Sequence, residues 1–238
     1  NRLDECYLRP LAIRGYGAAG LNPSTSPVDT YLICWPWGAY LGAEALDDGV
    51  DVCVSSWQRP SPNTFPTLAK AGGHYLNAQL MKMEAVANGY AEAIALNKEG
   101  RVSEGSGQNL FMVRNGVLHT PPLDGAMLPG ITRDCILTLA RDLDIPVVLE
   151  AMPREALYIA DELFFTGTAA EVSPIRSVDR IPVGNGKPGP VARRLQEAFL
   201  GLAKGDTPDR YGWLTPVRPG NGEGRDSNET QRKEKVSG

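Results

Sequence analysis

Seven lysines occur in the sequence, and six of them, Lys82, Lys98, Lys187, Lys204, Lys233 and Lys235, are expected in turns, in the tail or on solvent-facing surfaces. Lys70 is set apart by its neighbours Leu68, Ala69, Ala71, Gly72 and Gly73, all small or apolar. An amine in a low-dielectric space has a lowered pKa and becomes nucleophilic, and the glycines let a planar ligand approach the backbone. The same residues also suit a helix-start lysine that buries its stem and keeps its ammonium in water. Glu104 precedes Gly105-Ser106-Gly107, which resembles a phosphate-cradling loop but has neither the strand-to-helix context nor the lysine of a P-loop. Leu128-Pro129-Gly130-Ile131-Thr132 opens a predicted helix whose free N–H groups and positive dipole end could receive an anion; an ordinary helix start reads the same way. Thr166-Gly167-Thr168-Ala169-Ala170 follows the apolar run Leu163-Phe164-Phe165, where a tight turn aims hydroxyl and N–H donors at a ligand or forms a plain loop.

The elements that must position these groups are legible as periodicity and punctuation. Tyr7 to Ile13 and Thr30 to Trp35 read as strands around a Gly-, Pro- and Ser-rich loop from Gly15 to Pro27. Trp35 to Tyr40 carries Pro36 and Gly38 and reads as an aromatic linker. Gly49 to Trp57 alternates as a strand with Val50, Val52 and Val54 on one face, and Arg59 to Pro66 is a loop. The spacing predicts one long helix from Thr67 to Asn88, with Leu76, Leu80, Met83 and Ala87 as its apolar positions and Asn88-Gly89 as its stop. Glu92 to Leu96 is a strand, and Asn109 to Val113 pairs with Val117 to His119 through an Asn115-Gly116 hairpin turn. Helices are predicted at Ile131–Leu143, Arg154–Ala160 and Val191–Ala203, and strands at Pro146–Met152, Glu162–Phe165 and Pro174–Val178. The stretch beyond Arg218 is polar enough to be a disordered tail.

Length and composition narrow the class. With 238 residues, 42% hydrophobic and 22% charged, the chain can bury a core of one large or two modest domains. A net charge of −4 makes nucleic acid an unsuitable partner. The longest apolar stretch, Tyr31 to Leu46, is broken by Pro36, Gly38, Gly42 and Glu44, so no membrane span is expected. Cys6, Cys34, Cys53 and Cys135 lack C-x-x-C spacing, and with only His74 and His119 beside them no metal site is expected; reduced, mostly buried thiols in a cytosolic chain fit better.

One lysine in small-residue surroundings, one glutamate beside glycines and two anion-receiving segments are the parts that a pyridoxal phosphate enzyme needs. In sequence order stand Tyr7-Leu8-Arg9-Pro10, Pro36-Trp37-Gly38-Ala39-Tyr40-Leu41-Gly42, Ala69-Lys70-Ala71-Gly72-Gly73-His74-Tyr75, Ser103-Glu104-Gly105, Asn109-Leu110-Phe111, Leu128-Pro129-Gly130-Ile131-Thr132-Arg133 and Gly167-Thr168-Ala169-Ala170-Glu171. Together they resemble the class IV aminotransferases, specifically the branched-chain amino acid aminotransferases, from Tyr7 to Tyr211-Gly212-Trp213-Leu214.

The resemblance implies an α+β, D-amino acid aminotransferase-like (fold-type IV) enzyme of two domains, the first incomplete. Residues 1–36 would be the remnant of the small domain, 37–44 the linker, 45–218 the large cofactor domain and 219–238 the polar tail. It implies that Lys70 carries pyridoxal 5′-phosphate covalently and moves the proton at the substrate α-carbon, that Glu104 pairs with the pyridine nitrogen, and that Tyr75 meets the phenolic oxygen. The phosphate falls to the backbone of Ile131 and Thr132 and to Thr168. Tyr7 and the Thr168-Ala169 backbone would grip the α-carboxylate, Arg9 with Tyr40 the second carboxylate of glutamate, and Trp37 would wall the pocket for a branched side chain. Leucine, isoleucine and valine are the implied amino donors, 2-oxoglutarate the acceptor, and a homodimer or larger homo-oligomer the implied assembly.

Three departures shape the expectations. The family carries a further segment before Tyr7, so the chain is expected to be a truncated product with exposed sheet edges and apolar faces in its first strands and with weak or no activity. Gly15-Tyr16-Gly17-Ala18-Ala19-Gly20 is smaller than the family's usual loop, which implies a roomier pocket, and His74 stands where the family often has asparagine. The rival readings are a D-amino acid aminotransferase, a 4-amino-4-deoxychorismate lyase, against which Tyr7-x-Arg9 and Trp37 to Tyr40 speak, or a non-catalytic remnant that binds cofactor or a partner.

Overall fold

Asn115 (φ 51°) and Gly116 (φ 76°) take the left-handed conformations that a two-residue hairpin requires, and they set Arg114 opposite Val117. This hairpin belongs to a nine-stranded sheet. The computed structural model describes residues 2–3, 5–17, 19–38, 40–123 and 126–216. The chain divides into two compact units, residues 1–200 and 201–238.

In the first unit, β1 (Tyr7–Arg14) and β2 (Val28–Trp35) pair antiparallel as a two-stranded sheet, with Tyr7 opposite Trp35. Leu8, Val28 and Leu32 are exposed in it. A short helix, α1 (Ala43–Asp48), begins inside the stretch expected to be linker. The remaining strands are β3 (Val50–Val54), β4 (Glu92–Leu96), β5 (Val102–Gly105), β6 (Asn109–Arg114), β7 (Val117–Thr120), β8 (Val147–Leu149), β9 (Glu162–Gly167), β10 (Glu171–Val178) and β11 (Ile181–Pro182). β10, β3, β4, β5, β6 and β9 pair in turn and β9 returns to β10, so these strands close a ring. Closure leaves no free edge within the ring. Val50, Val52, Ile94, Leu110, Met112, Leu163, Phe165, Ile175 and Val178 form one buried cluster. Phe111 and Phe164, at the alternate positions, stack at 5.2 Å between ring centroids.

Three further helices follow: α2 (His74–Ala87), α3 (Ile131–Asp142) and α4 (Pro190–Ala203), with a 3₁₀ turn at Arg154–Ile159. α2 departs from the expected long helix in two ways. It starts seven residues later than Thr67, because Pro66, Gly72 and Gly73 disfavour helix and the segment closes single turns instead, Ala69 N–H to Pro66 and His74 N–H to Ala71. It also buries a different face: His74, Ala78, Met81 and Ala85 point inward, while Leu76 is 69% and Met83 67% exposed. Met81 and Ala85 pack against Cys53, Ala93 and Ala95, where small residues let the helix lie close to the strands. The strand expected over Pro146–Met152 is only Val147–Leu149. Cys53 and Cys135 are buried, Cys34 is half-buried and Cys6 is exposed. In the second unit the Asp209 carboxylate accepts the backbone N–H groups of Tyr211, Trp213 and Leu214. The expected tail, 219–238, lies outside the described residues. Among the described residues no helix is long and apolar enough to cross a membrane.

Candidate active site

Glu104 stands on β5 and is buried. Its Oε1 pairs with Arg59 Nη2 at 2.7 Å. Its Oε2 accepts the Leu128 N–H at 3.1 Å and Asn109 Nδ2 at 3.2 Å. Burial pushes this carboxyl above the usual carboxylate range, opposed by the Arg59 charge, the Leu128 amide and the Lys70 charge.

Lys70 lies between Pro66 and His74 in the segment that the helix does not absorb. The expectation of a partly buried lysine is not met: Lys70 is exposed, because the segment's turns open it to water. Its Nζ lies 5.9 Å from the centre of the Tyr75 ring. His74 Nε2, 3.0 Å from the Pro66 carbonyl, closes the segment, and Phe65 meets the imidazole edge-on at 4.8 Å. Lys82, expected on a solvent face, is half-buried and bonds the Ala91 carbonyl at 2.5 Å with its Nζ 3.3 Å from Glu92.

Asn109 ties Glu104 to the start of α3. Its Nδ2 also donates to the Leu128 carbonyl at 2.9 Å, and a β-carbon at Gly130 would collide with its Oδ1. Only glycine permits that approach. Gly130 caps α3 without any side-chain hydrogen bond, so the first-turn N–H groups at Ile131 and Thr132 stay available. Opposite Asn109 on β9 stands Thr166, whose buried hydroxyl has no partner among the described residues. Thr168 and Ala169 follow in the β9–β10 turn, and the Gly107 carbonyl lies 3.6 Å from where a Gly167 β-carbon would be.

The substrate candidates form a chain of rings. Tyr7 and Trp37 are 5.0 Å apart, Trp37 and Tyr40 6.3 Å, and Arg9 sits 5.5 Å from the Tyr7 and Trp35 rings. Burial raises the Tyr40 hydroxyl's pKa, and Glu92 and Tyr75 add to the effect. The structure therefore gathers Lys70, Tyr75 and Glu104, links Glu104 through Asn109 to Ile131 and Thr132, and groups Tyr7, Arg9, Trp37 and Tyr40. Sequence reasoning assigned no part to Arg59, Asn77, Glu92, Gln108 or Asn109. Glu92, fully buried, accepts from Gln108 Nε2 at 3.0 Å, and Gln108 Oε1 accepts the Gly107 N–H. A glutamate opening an apolar strand was the available signal.

The family model described as amino-transferase class IV matches residues 1–178. The branched-chain-amino-acid aminotransferase of Salmonella typhimurium is 54% identical over 218 residues, covering 91% of this chain and 71% of the relative. That of Escherichia coli strain K12 is 53% identical with the same coverage. A crystal structure of the Escherichia coli branched-chain amino acid aminotransferase superposes with a TM-score of 0.87 at 53% identity, covering 90% of this chain and 70% of that one. The Thermobaculum terrenum branched-chain amino acid aminotransferase in its PLP-form gives 0.84 at 36% identity, with 90% and 69% covered. The chain belongs to the class IV amino-transferase family, among its branched-chain-amino-acid aminotransferases.

Proposed function

We propose that the chain transfers the amino group of L-leucine, L-isoleucine or L-valine to 2-oxoglutarate, with pyridoxal 5′-phosphate held around Lys70. The observation that carries this reading is the convergence of Lys70, Tyr75 and the buried Glu104 beside the uncapped start of α3. The residues present fit that cofactor: an amine, a buried acid, an orphaned hydroxyl at Thr166 and an open helix terminus match an aldehyde, a ring nitrogen and a phosphate. When bound, the cofactor supplies a ring that accepts the electron pair left as the substrate α-carbon loses its proton.

The chain's own residues do the rest. Lys70 Nζ would hold the cofactor and, once the substrate amine displaces it, would carry the proton from the α-carbon to the cofactor carbon that keeps the nitrogen. Glu104 accepts a hydrogen bond from the ring nitrogen and keeps it protonated. Tyr75 orients the phenolic oxygen. The N–H groups of Ile131 and Thr132, with Thr168, receive the phosphate, where the dipole of α3 favours an anion. Tyr7 and the Thr168-Ala169 backbone hold the α-carboxylate, and Trp37 packs on a branched side chain. Arg9 and Tyr40 take the second carboxylate of glutamate, so that one pocket serves an apolar and an anionic substrate in turn. In domain terms we assign residues 1–36 to the small domain, 37–44 to a linker and 45–218 to the cofactor domain of a cytosolic homo-oligomer.

Absorbance of the purified chain with added pyridoxal phosphate, before and after L-leucine, tests this. A visible band that L-leucine converts to a near-ultraviolet one, and that Lys70→Ala lacks, is the expected result. A chain with no Lys70-dependent band overturns the reading.

A further inference from the structure

We propose that Arg59 is a positioning residue for transamination: its guanidinium, anchored by Asn77, holds the buried Glu104 as an oriented carboxylate and so sets the protonation of the cofactor's ring nitrogen. This rests on the reading of Glu104 as the partner of that nitrogen.

Arg59 is itself buried, and its placement is built from several directions. Its backbone N–H bonds Leu96 O at 2.9 Å, and its Nη1 donates to Asn77 Oδ1 at 2.9 Å. Asn77, on the first turn of α2, returns its Nδ2 to the Gln58 carbonyl at 2.9 Å. The Arg59 Nε is buried with no partner among the described residues, so the guanidinium is held by its two Nη contacts, to Asn77 and to Glu104.

A carboxylate offers about four acceptor sites. Arg59, Asn109 and Leu128 fill three of them on Glu104. They leave one for the ring nitrogen and fix where it points. Asn109 and the Leu128 amide are neutral; the charges acting on Glu104 are those of Arg59 and Lys70. Lys70 would alternate between cofactor-bound and free forms during turnover, whereas Arg59 is anchored by Asn77. Without that cation a carboxylate so deeply buried takes up a proton, and a protonated acid no longer favours a protonated ring nitrogen.

The test uses the full chain, ¹³C-labelled at the glutamate carboxyls, titrated by infrared spectroscopy without cofactor and then loaded with ¹⁵N-labelled pyridoxal phosphate. Arg59→Gln is expected to raise the Glu104 ionisation by about one pH unit or more, a tenfold change in proton affinity. The protonated carboxyl band then persists to higher pH than in the parent and is absent from the Arg59→Gln, Glu104→Gln double variant. The ring ¹⁵N signal shifts toward its unprotonated position, the leucine half-reaction slows by about tenfold or more, and Arg59→Lys restores part of each. A Glu104 titration or a ring ¹⁵N signal unchanged in Arg59→Gln overturns the proposal. Should that variant fail to fold, Asn77→Ala keeps both charges and removes only the anchor; an unchanged ring signal there overturns it equally. The infrared arm needs no cofactor, so a parent chain that binds none defeats the functional reading while the carboxyl titration still decides whether Arg59 keeps Glu104 ionised.

Discussion

The imidazole of His74 donates from Nε2 to the Pro66 carbonyl oxygen across 3.0 Å, and this bond spans the segment that carries Lys70. A carbonyl only accepts, so Nε2 bears the proton; Nδ1 is buried without a partner among the described residues. His74→Ala loses the bond and the packing of the ring against Phe65. The expected cost is about 1–3 kcal/mol in urea denaturation. Cofactor affinity should fall with it, because an unpinned Lys70 must be ordered on binding; an affinity equal to that of the parent would show that the Lys70 segment does not depend on this bond.

Gly130 caps the start of α3, and the space where its β-carbon would lie is filled by the Asn109 side chain. Gly130→Ala must push Asn109 off Glu104 or move the helix. Overpacking of this kind costs about 1–3 kcal/mol. Phosphate-dependent cofactor retention, followed by dialysis, should weaken alongside stability, whereas Gly100→Ala, with open space around it and only its positive φ to strain, should lower stability and leave retention intact.

Met81 and Met83 differ by two positions on α2 and by everything in their surroundings: Met81 is fully buried and Met83 faces out. Met81→Ala is expected to cost about 2–5 kcal/mol by opening a cavity, and Met83→Ala no more than about 0.5 kcal/mol. Chemical denaturation of the two variants separates them. The larger apolar residues had marked the opposite face, since hydrophobicity alone does not reveal that the strands below are lined by Ala93 and Ala95 and that the helix turns its own alanines to meet them. Strands and turns were far more legible. Asn115-Gly116 and the alternation of Val50, Val52 and Val54 are local signals, and local signals survive folding.

The site divides along the same line. Lys70, Glu104 and Thr168 were visible because each lies in a short run of small residues, and the start of α3 was visible because Pro129-Gly130 announces it. Arg59, Asn77 and Asn109 were not, because Arg59 reaches Glu104 across 45 residues, Asn77 reaches Arg59 across 18 and Asn109 reaches Glu104 across 5. No spacing rule links a loop arginine to a strand glutamate that far along the chain.

Asp51 on β3 takes a fork of hydrogen bonds from Arg176, Nε at 3.0 Å and Nη2 at 2.6 Å, and another from Ser177. The Arg176 hydrogen bonds hold its carboxyl below the usual range, against a smaller burial effect. A depressed carboxyl stabilises the fold above its unfolded pKa of about 3.9, and that stability disappears as pH falls through the lower folded value. The pair is part-exposed and screened by water, so Asp51→Asn should cost about 0.5–1 kcal/mol at pH 7. Urea midpoints of parent and variant should converge as pH falls below the folded value; a gap that persists there would assign the loss to packing instead of charge.

Arg9 lies against the Tyr7 and Trp35 rings, its guanidinium carbon 5.5 Å from each centroid. Such stacking stabilises a cation by about 0.5–1 kcal/mol at an exposed site, and it holds the guanidinium beside the aromatic group instead of committing it to a buried ion pair. A cation held this way can meet a carboxylate when glutamate binds and remain on the rings when leucine does. Arg9→Gln should therefore leave the L-leucine half-reaction within about twofold while the glutamate half-reaction loses about tenfold or more in kcat/KM, the effect of a missing charge-assisted hydrogen bond of roughly 1.5–3 kcal/mol. Single-turnover absorbance with each amino acid separates the two. Equal losses with both substrates would move Arg9 from the second carboxylate to the common α-carboxylate, because only a group that both substrates share can report equally in both half-reactions.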